Sequence, residues 1–139
     1  EVGTMRVTEQ IDALETLAYD PMAYLVVPRV LAGVIMFPVV VAFANAMGIV
    51  GGWLTAINLL DLSTPEFVRG LRLFFRPFDV GYSLIKATSF GLAVTVVGCY
   101  HGYTTRGGAA AVGRSATQAV VVGSMSILVL DAFWAVVLL

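Results

Sequence analysis

Three long apolar segments alternate with short polar ones along this 139-residue chain. Residues 30–60 carry no charged side chain, residues 80–103 carry only Lys86, and residues 115–139 carry only Asp131. A helix of about 20 apolar residues crosses the roughly 30 Å of hydrocarbon in a bilayer. Because an open sheet edge would leave backbone groups without partners in lipid, the pattern predicts an all-α membrane protein with three transmembrane helices. The first segment is longer than a straight span requires, so it is expected to tilt, to kink at Pro38, or to end in an interfacial turn near residues 51–53.

The first 20 residues are polar and follow a helical repeat. Asp20 precedes a proline, which disfavours helical geometry and predicts the end of the helix there. Arg6 and Glu9 are spaced to pair on the helix surface. One stripe holds Met5, Thr8, Ile11, Leu14 and Ala18, and the neighbouring face holds Arg6, Glu9, Gln10, Ala13 and Thr16. The pattern predicts one amphipathic helix before the first span.

This amphipathic helix is acidic. Five of the nine acidic residues of the chain lie within it: Glu1, Glu9, Asp12, Glu15 and Asp20. Helices that lie on membrane surfaces are usually basic. An interfacial helix remains one interpretation, but the acidity favours docking to a protein.

The segments between the spans lie on opposite sides of the membrane. In residues 61–79, Ser63-Thr64-Pro65-Glu66 resembles a helix start, and predicts a short amphipathic helix over 65–75 on the membrane surface. Residues 104–114 form a glycine-rich turn on the side of the amino-terminal helix. The side of the amino-terminal helix has four arginines, and the other side has three: Arg6, Arg29, Arg106 and Arg114 against Arg69, Arg72 and Arg76. Cytoplasmic loops usually carry the excess of positive charge, so this difference of one arginine barely determines the orientation.

Composition excludes several functions. The chain is 59 % hydrophobic and 12 % charged, with a mean hydropathy of +0.92 and a net charge of −1, which argues against nucleic-acid binding. One cysteine, Cys99, and one histidine, His101, predict neither a disulfide nor a metal site. Residues 108–115 approach the phosphate-binding loop pattern, but they lie between two spans and Arg114 stands in place of the lysine. We therefore predict no cofactor and no enzymatic activity for this chain.

Lys86 and Asp131 are the ionisable residues well inside the spans. At 1.5 Å per residue, both lie at a similar depth, with Lys86 roughly 10 Å from the start of its span. Since such residues usually pair or line a polar path, we predict a contact between the second and third spans. The alternative is that Lys86 extends to the headgroups and Asp131 is protonated or solvated. Asn45, also within a span, is expected to bond a neighbouring helix.

Small residues recur four positions apart within the spans, a spacing that lets helices approach closely. The pairs are Gly48 and Gly52, Ala42 and Ala46, and Gly98 and Gly102. They predict either packing within the chain or a homodimer seam.

Several motifs together resemble one family, the MlaE/YrbE-type permeases of ABC lipid transporters. They are residues 1–14 (EVGTMRVTEQIDAL), Asp20-Pro21, residues 24–26 (YLV), Pro28-Arg29, residues 98–102 (GCYHG), 107–109 (GGA), 112–121 (VGRSATQAVV) and Leu130-Asp131. The resemblance implies that residues 1–20 are a cytoplasmic coupling helix, seated on a cytoplasmic ABC ATPase through Arg6, Glu9, Gln10 and Asp12. It then places residues 61–79 in the periplasm and implies that further spans precede this carboxy-terminal portion.

The resemblance also implies a function and partners. The chain would be a homodimeric permease subunit in the bacterial inner membrane, moving phospholipids or related hydrophobic molecules between inner and outer membranes. ATP would be hydrolysed on the partner ATPase, and an MCE-domain protein would bind on the periplasmic side. Two alternatives are an ion-coupled secondary transporter or channel using Lys86, Asp131 and Asn45, and a membrane scaffold that transports nothing.

Overall fold

The computed structural model describes residues 1–138 and consists of helices joined by short connections. Two short helices, α1 (Val2–Val7) and α2 (Gln10–Thr16), precede a π-helical turn (Met22–Val26) that continues directly into α3 (Val27–Leu59). The remaining helices are α4 (Thr64–Phe74), α5 (Pro77–Tyr103) and α6 (Ala109–Leu138). The long helices form a bundle in which α5 packs against both α3 and α6.

Three helices are long and apolar enough to cross a membrane: Met22–Leu59, Pro77–Tyr103 and Ala109–Val137. The predicted all-α fold with three spans is therefore confirmed for the residues that the structure describes. The last residue of the predicted third span, Leu139, lies outside those residues.

The boundaries of the spans differ from the predicted ones. The helix runs through residues 51–53 to Leu59 and contains Pro38, so of the three alternatives given for this segment the interfacial turn is not formed. At about 1.5 Å per residue, α3 alone is roughly 50 Å long and exceeds the hydrocarbon thickness. The glycine-rich turn is also shorter than predicted, because α6 already begins at Ala109.

The amino-terminal segment is not one helix, contrary to the prediction. Glu9 adopts a left-handed conformation with φ 60° between α1 and α2, and Ala18 does the same after α2 has ended at Thr16. The break turns α2 back so that Ile11 is fully buried against Val2 and Leu25. Burial of an isoleucine, worth about 1.5–3 kcal/mol, offsets the strain of a non-glycine residue in this conformation.

Asp20 and Pro21 mark the start of the next helix rather than the end of the previous one. The backbone N–H of Met22 donates to Asp20 Oδ1 at 3.0 Å, so this aspartate bonds a backbone donor in the first turn. Helix α2 thus ends before Asp20. The hydrogen bond from Met22 to Asp20 then stabilises the start of the next helix, which continues into the first span.

Helices α3 and α5 approach each other closely at Gly33 and Gly91, two glycines that the spacing pattern did not identify. A Cβ atom at Gly91 would lie 2.7 Å from the carbonyl oxygen of Gly33 and 2.8 Å from Phe37 Cβ. Three of the four predicted glycines differ from these two, since a Cβ at Gly48, Gly52 or Gly98 would meet nothing within 4 Å among the described residues. At these three glycines the described chain therefore shows no close helix contact.

Gly91→Ala is expected to lower the free energy of unfolding by about 1–3 kcal/mol, as overpacking typically does. The added methyl group meets backbone and a Cβ atom, which cannot move aside as a flexible side-chain end could. Denaturation of the complete protein in mixed micelles measures the change. Gly81→Ala is the matched control, because a Cβ there meets nothing within 4 Å; equal stability of both variants would contradict the proposed crossing.

Candidate functional site

Helices α1 and α2 form a compact amino-terminal cluster against the end of α5. Its buried centre is Val2, Ile11 and Leu25, and the side chains packed around them are Met5, Leu14 and Tyr103. Gly102 permits this contact, because a Cβ there would lie 2.9 Å from Val2 Cβ. The cluster is thus attached to the end of a membrane span, so a force on α1 would reach α5 directly.

Arg6 and Asp12 join α1 to α2. Arg6 Nη1 donates to Asp12 Oδ1 at 2.7 Å, and its guanidinium lies 5.6 Å from the centre of the Tyr103 ring. The predicted pairing of Arg6 with Glu9 is wrong, because the break at Glu9 brings Asp12 to Arg6 instead. These contacts indicate that Arg6 and Asp12 hold the two helices together.

Glu9 and Gln10 lie at the break between α1 and α2 and are exposed. Neither side chain makes a hydrogen bond or ion pair with the described residues. The four residues predicted to contact an ATPase therefore separate into two pairs. Arg6 and Asp12 bond each other, whereas Glu9 and Gln10 are available to another molecule.

Arg29 attaches the amino-terminal cluster to the first span. Its guanidinium donates to Glu1 Oε1 at 2.6 Å and to the Leu25 carbonyl oxygen at 3.1 Å. The predicted site did not include this residue or Tyr103. Their positions in the sequence could have identified them, because an arginine and a tyrosine at the ends of spans are typical of the membrane interface.

A cavity of about 480 Å³ lies where α1, α3, α5 and α6 meet. Arg29 and Glu1 line its polar part, and Cys99, Val112 and Ala119 contribute to its mainly apolar remainder. Because the cavity joins the amino-terminal cluster to all three spans, a shift of α1 would change its shape.

Lys86 and Asp131 form an ion pair between α5 and α6, which brings together the two residues predicted to meet. The side chain of Lys86 is 21 % exposed and that of Asp131 is 52 % exposed. Lys86 Nζ also lies 5.0 Å from the centre of the Tyr82 ring and 5.8 Å from that of Phe90. The ammonium group therefore has one anionic and two aromatic partners, which suits a charge at this depth.

Asn45 of α3 makes a polar contact with α5 at the depth of the Lys86–Asp131 ion pair. Its Nδ2 donates to Ser83 Oγ at 3.1 Å, and Ser83 precedes Lys86 by about one turn of α5. Polar contacts thus join all three spans near one depth. The residues described include no cluster of three or more histidine, cysteine or acidic side chains able to hold a metal ion.

Comparison with known proteins gives a consistent result. The family model described as Permease MlaE matches residues 1–137. A probable ABC transporter permease protein of Rickettsia prowazekii is 45 % identical over 129 residues, covering 93 % of this chain and 50 % of the relative. The intermembrane phospholipid transport system permease protein MlaE of Haemophilus influenzae is 33 % identical. The matched region covers 94 % of this chain and 51 % of the relative.

A chloroplastic protein is also similar to this chain. The chloroplastic protein TRIGALACTOSYLDIACYLGLYCEROL 1 of Arabidopsis thaliana is 35 % identical over 131 residues, covering 94 % of this chain and 37 % of the plant protein. The chain spans about half the length of the bacterial relatives that it matches.

Proposed function

Because this chain belongs to the MlaE permease family, we propose that it forms part of the permease subunit of an ABC transporter that moves phospholipids. The observation that carries the proposal is the family match over residues 1–137, which includes both the amino-terminal cluster and all three spans. The name of the Haemophilus influenzae relative, a phospholipid transport permease, supports the choice of substrate. Covalent chemistry would occur only on the partner ATPase, where ATP would bind.

In the proposed mechanism, the ATPase binds the exposed break between α1 and α2 through Glu9 and Gln10. Movement of the ATPase would shift α1 and α2 together, because the Arg6–Asp12 ion pair joins them. The shift would reach α5 through Tyr103 and α3 through the Arg29–Glu1 pair. We expect the spans to respond by reshaping the surface on which the lipid moves.

Further partners belong to the same proposal. A homodimer would place Gly48 and Gly52 against a second copy or against spans of the complete permease, since the described residues leave both glycines uncovered. An MCE-domain protein would bind on the side of α4. The location would be the bacterial inner membrane, with α1 and α2 in the cytoplasm.

Reconstitution tests this proposal. The complete permease and its ATPase are placed in liposomes, and movement of a headgroup-labelled phospholipid to acceptor vesicles is followed with ATP, without ATP, and with an imposed ion gradient alone. We expect ATP-dependent movement that stops when the ATPase is omitted. Movement driven by the ion gradient alone would favour the ion-coupled transporter, and no movement under any condition would favour the scaffold.

A further inference from the structure

Helix α4 lies at the end of the helix bundle opposite α1 and α2. It follows the end of α3 at Leu59 and precedes the start of α5 at Pro77, so it connects neighbouring ends of two spans. It contacts α3 only slightly and leaves large apolar side chains uncovered, with Phe74 86 % and Leu73 74 % exposed. An exposed helix at this level must meet either headgroups and acyl chains or another protein.

The two arginines of α4 and an apolar stripe occupy different sides of the helix. At 100° per residue, Phe67, Leu71 and Phe74 fall on one stripe. Arg69 and Arg72 are three positions apart and are therefore neighbours on another side. They line an open groove of about 430 Å³ together with Pro65, Val68 and Leu73.

The arginines of this groove have no acidic partner among the described residues. Arg6, Arg29 and Lys86 each form an ion pair, whereas Arg69 and Arg72 form none. Both arginines lie in an exposed helix. Two neighbouring guanidinium groups are therefore free to bind an external anion.

Glu66, the acidic residue of α4, is hydrogen-bonded at the start of the helix. Glu66 Oε2 accepts from the Ser63 hydroxyl at 2.6 Å and from the Ser63 backbone N–H at 3.0 Å. These hydrogen bonds, the hydroxyl first, lower the pKa of Glu66 below its ordinary value. The carboxylate is thus hydrogen-bonded to Ser63 and forms no ion pair with Arg69, which lies one turn further along the helix.

We propose that α4 lies in the headgroup region of its leaflet and that Arg69 and Arg72 together bind the phosphate of an anionic phospholipid. The apolar stripe of Phe67, Leu71 and Phe74 would enter the acyl chains beneath, as in amphipathic interfacial helices. Guanidinium groups suit the ligand because they donate paired hydrogen bonds to phosphate oxygens. A lipid fits better than a protein, because headgroup phosphates and acyl chains present an anion and an apolar surface at adjacent depths.

This inference goes beyond the proposed transport function. It concerns equilibrium lipid binding at a surface remote from the ATPase, so it holds or fails independently of ATP-driven movement. Leu73 lies in the same groove and is exposed, which makes it a suitable position for a reporter.

Tryptophan quenching by brominated lipids measures binding at this one surface. In the complete permease, all native tryptophans are replaced with phenylalanine and Leu73→Trp supplies the reporter. Bilayers contain brominated phosphatidylglycerol or brominated phosphatidylcholine mixed with the unbrominated lipid of the other type. We expect phosphatidylglycerol to be preferred around the reporter, and Arg69→Gln with Arg72→Gln to reduce that preference about tenfold.

Two further variants keep the test specific. Arg106→Gln with Arg114→Gln removes the same charge from the opposite surface and is expected to leave the preference unchanged. Arg69→Lys with Arg72→Lys keeps the charge and is expected to retain part of the preference. Inorganic phosphate at matched ionic strength is expected to have no effect.

Four results would overturn the inference. One is an unchanged preference in the Arg69→Gln, Arg72→Gln variant, and a second is an equal loss in the Arg106→Gln, Arg114→Gln variant. A third is displacement by inorganic phosphate, which would assign the groove to a free anion. The fourth is absence of quenching by either lipid, which would indicate that α4 is covered by protein.

Discussion

Lys86→Met is expected to lower the free energy of unfolding of the complete permease by about 2–3 kcal/mol. The substitution removes the cation that pairs with Asp131 and leaves that carboxyl group without its partner within a membrane-spanning helix. It also removes the ammonium group from the faces of Tyr82 and Phe90. Denaturation of the purified protein in mixed micelles measures the loss.

Exchange of the charges at positions 86 and 131 distinguishes the contribution of the ion pair to stability from the contribution of side-chain packing. Lys86→Asp combined with Asp131→Lys is expected to recover part of the stability that Lys86→Asp alone removes. Recovery is incomplete because the ammonium group moves away from the two aromatic rings. If the exchanged pair is no more stable than Lys86→Asp alone, the ion pair does not account for the stability.

Glu9→Lys is expected to reduce retention of the ATPase on the complete permease by about tenfold or more, because it reverses a charge at the proposed interface. Glu9 is exposed at the break between α1 and α2 and bonds no described side chain, so the fold should tolerate the change. A pull-down with tagged permease measures retention, and stimulated ATP hydrolysis provides a second readout.

Glu15→Lys is the matched control for this prediction. It makes the same charge change on the exposed surface of α2, away from the break. We expect it to retain most of the ATPase. Normal retention by Glu9→Lys would contradict the assignment, and equal loss in both variants would indicate only a general dependence on the acidity of the segment.

Much of the fold follows directly from the sequence. The absence of charge over residues 30–60 and the single charges in the other two segments are sufficient to predict three spans, because few other structures can bury so many apolar residues in lipid. The similar depth of Lys86 and Asp131 follows from helix geometry, since a fixed rise per residue converts sequence position into depth, and the structure shows that the two side chains meet.

The details of the amino-terminal cluster could not be predicted in the same way. The pattern of residues 1–20 suits a continuous helix, and the break at Glu9 depends on burial of Ile11 against residues that are distant in sequence. The pairing of Arg6 with Asp12 is a consequence of that break. Local periodicity contains no information about either contact.

The glycine contacts show a second limit. Small residues four apart occur at several places in the spans, and the pattern does not say which of them face another helix. Gly33 and Gly91 meet across α3 and α5, whereas Gly48 and Gly52 meet nothing in the described chain. Which glycines face another helix depends on where the helices cross, and the crossing point is a property of the whole bundle.

Site-specific cross-linking tests the central claim most directly, namely that the break between α1 and α2 is the contact for an ATPase. A photoreactive amino acid replaces Gln10 in the complete permease, and a second variant carries it at Leu73 on the opposite surface. We predict an adduct with the ATPase from position 10 and none from position 73. An ATPase adduct from position 73, with none from position 10, would contradict both the orientation and the proposed coupling site.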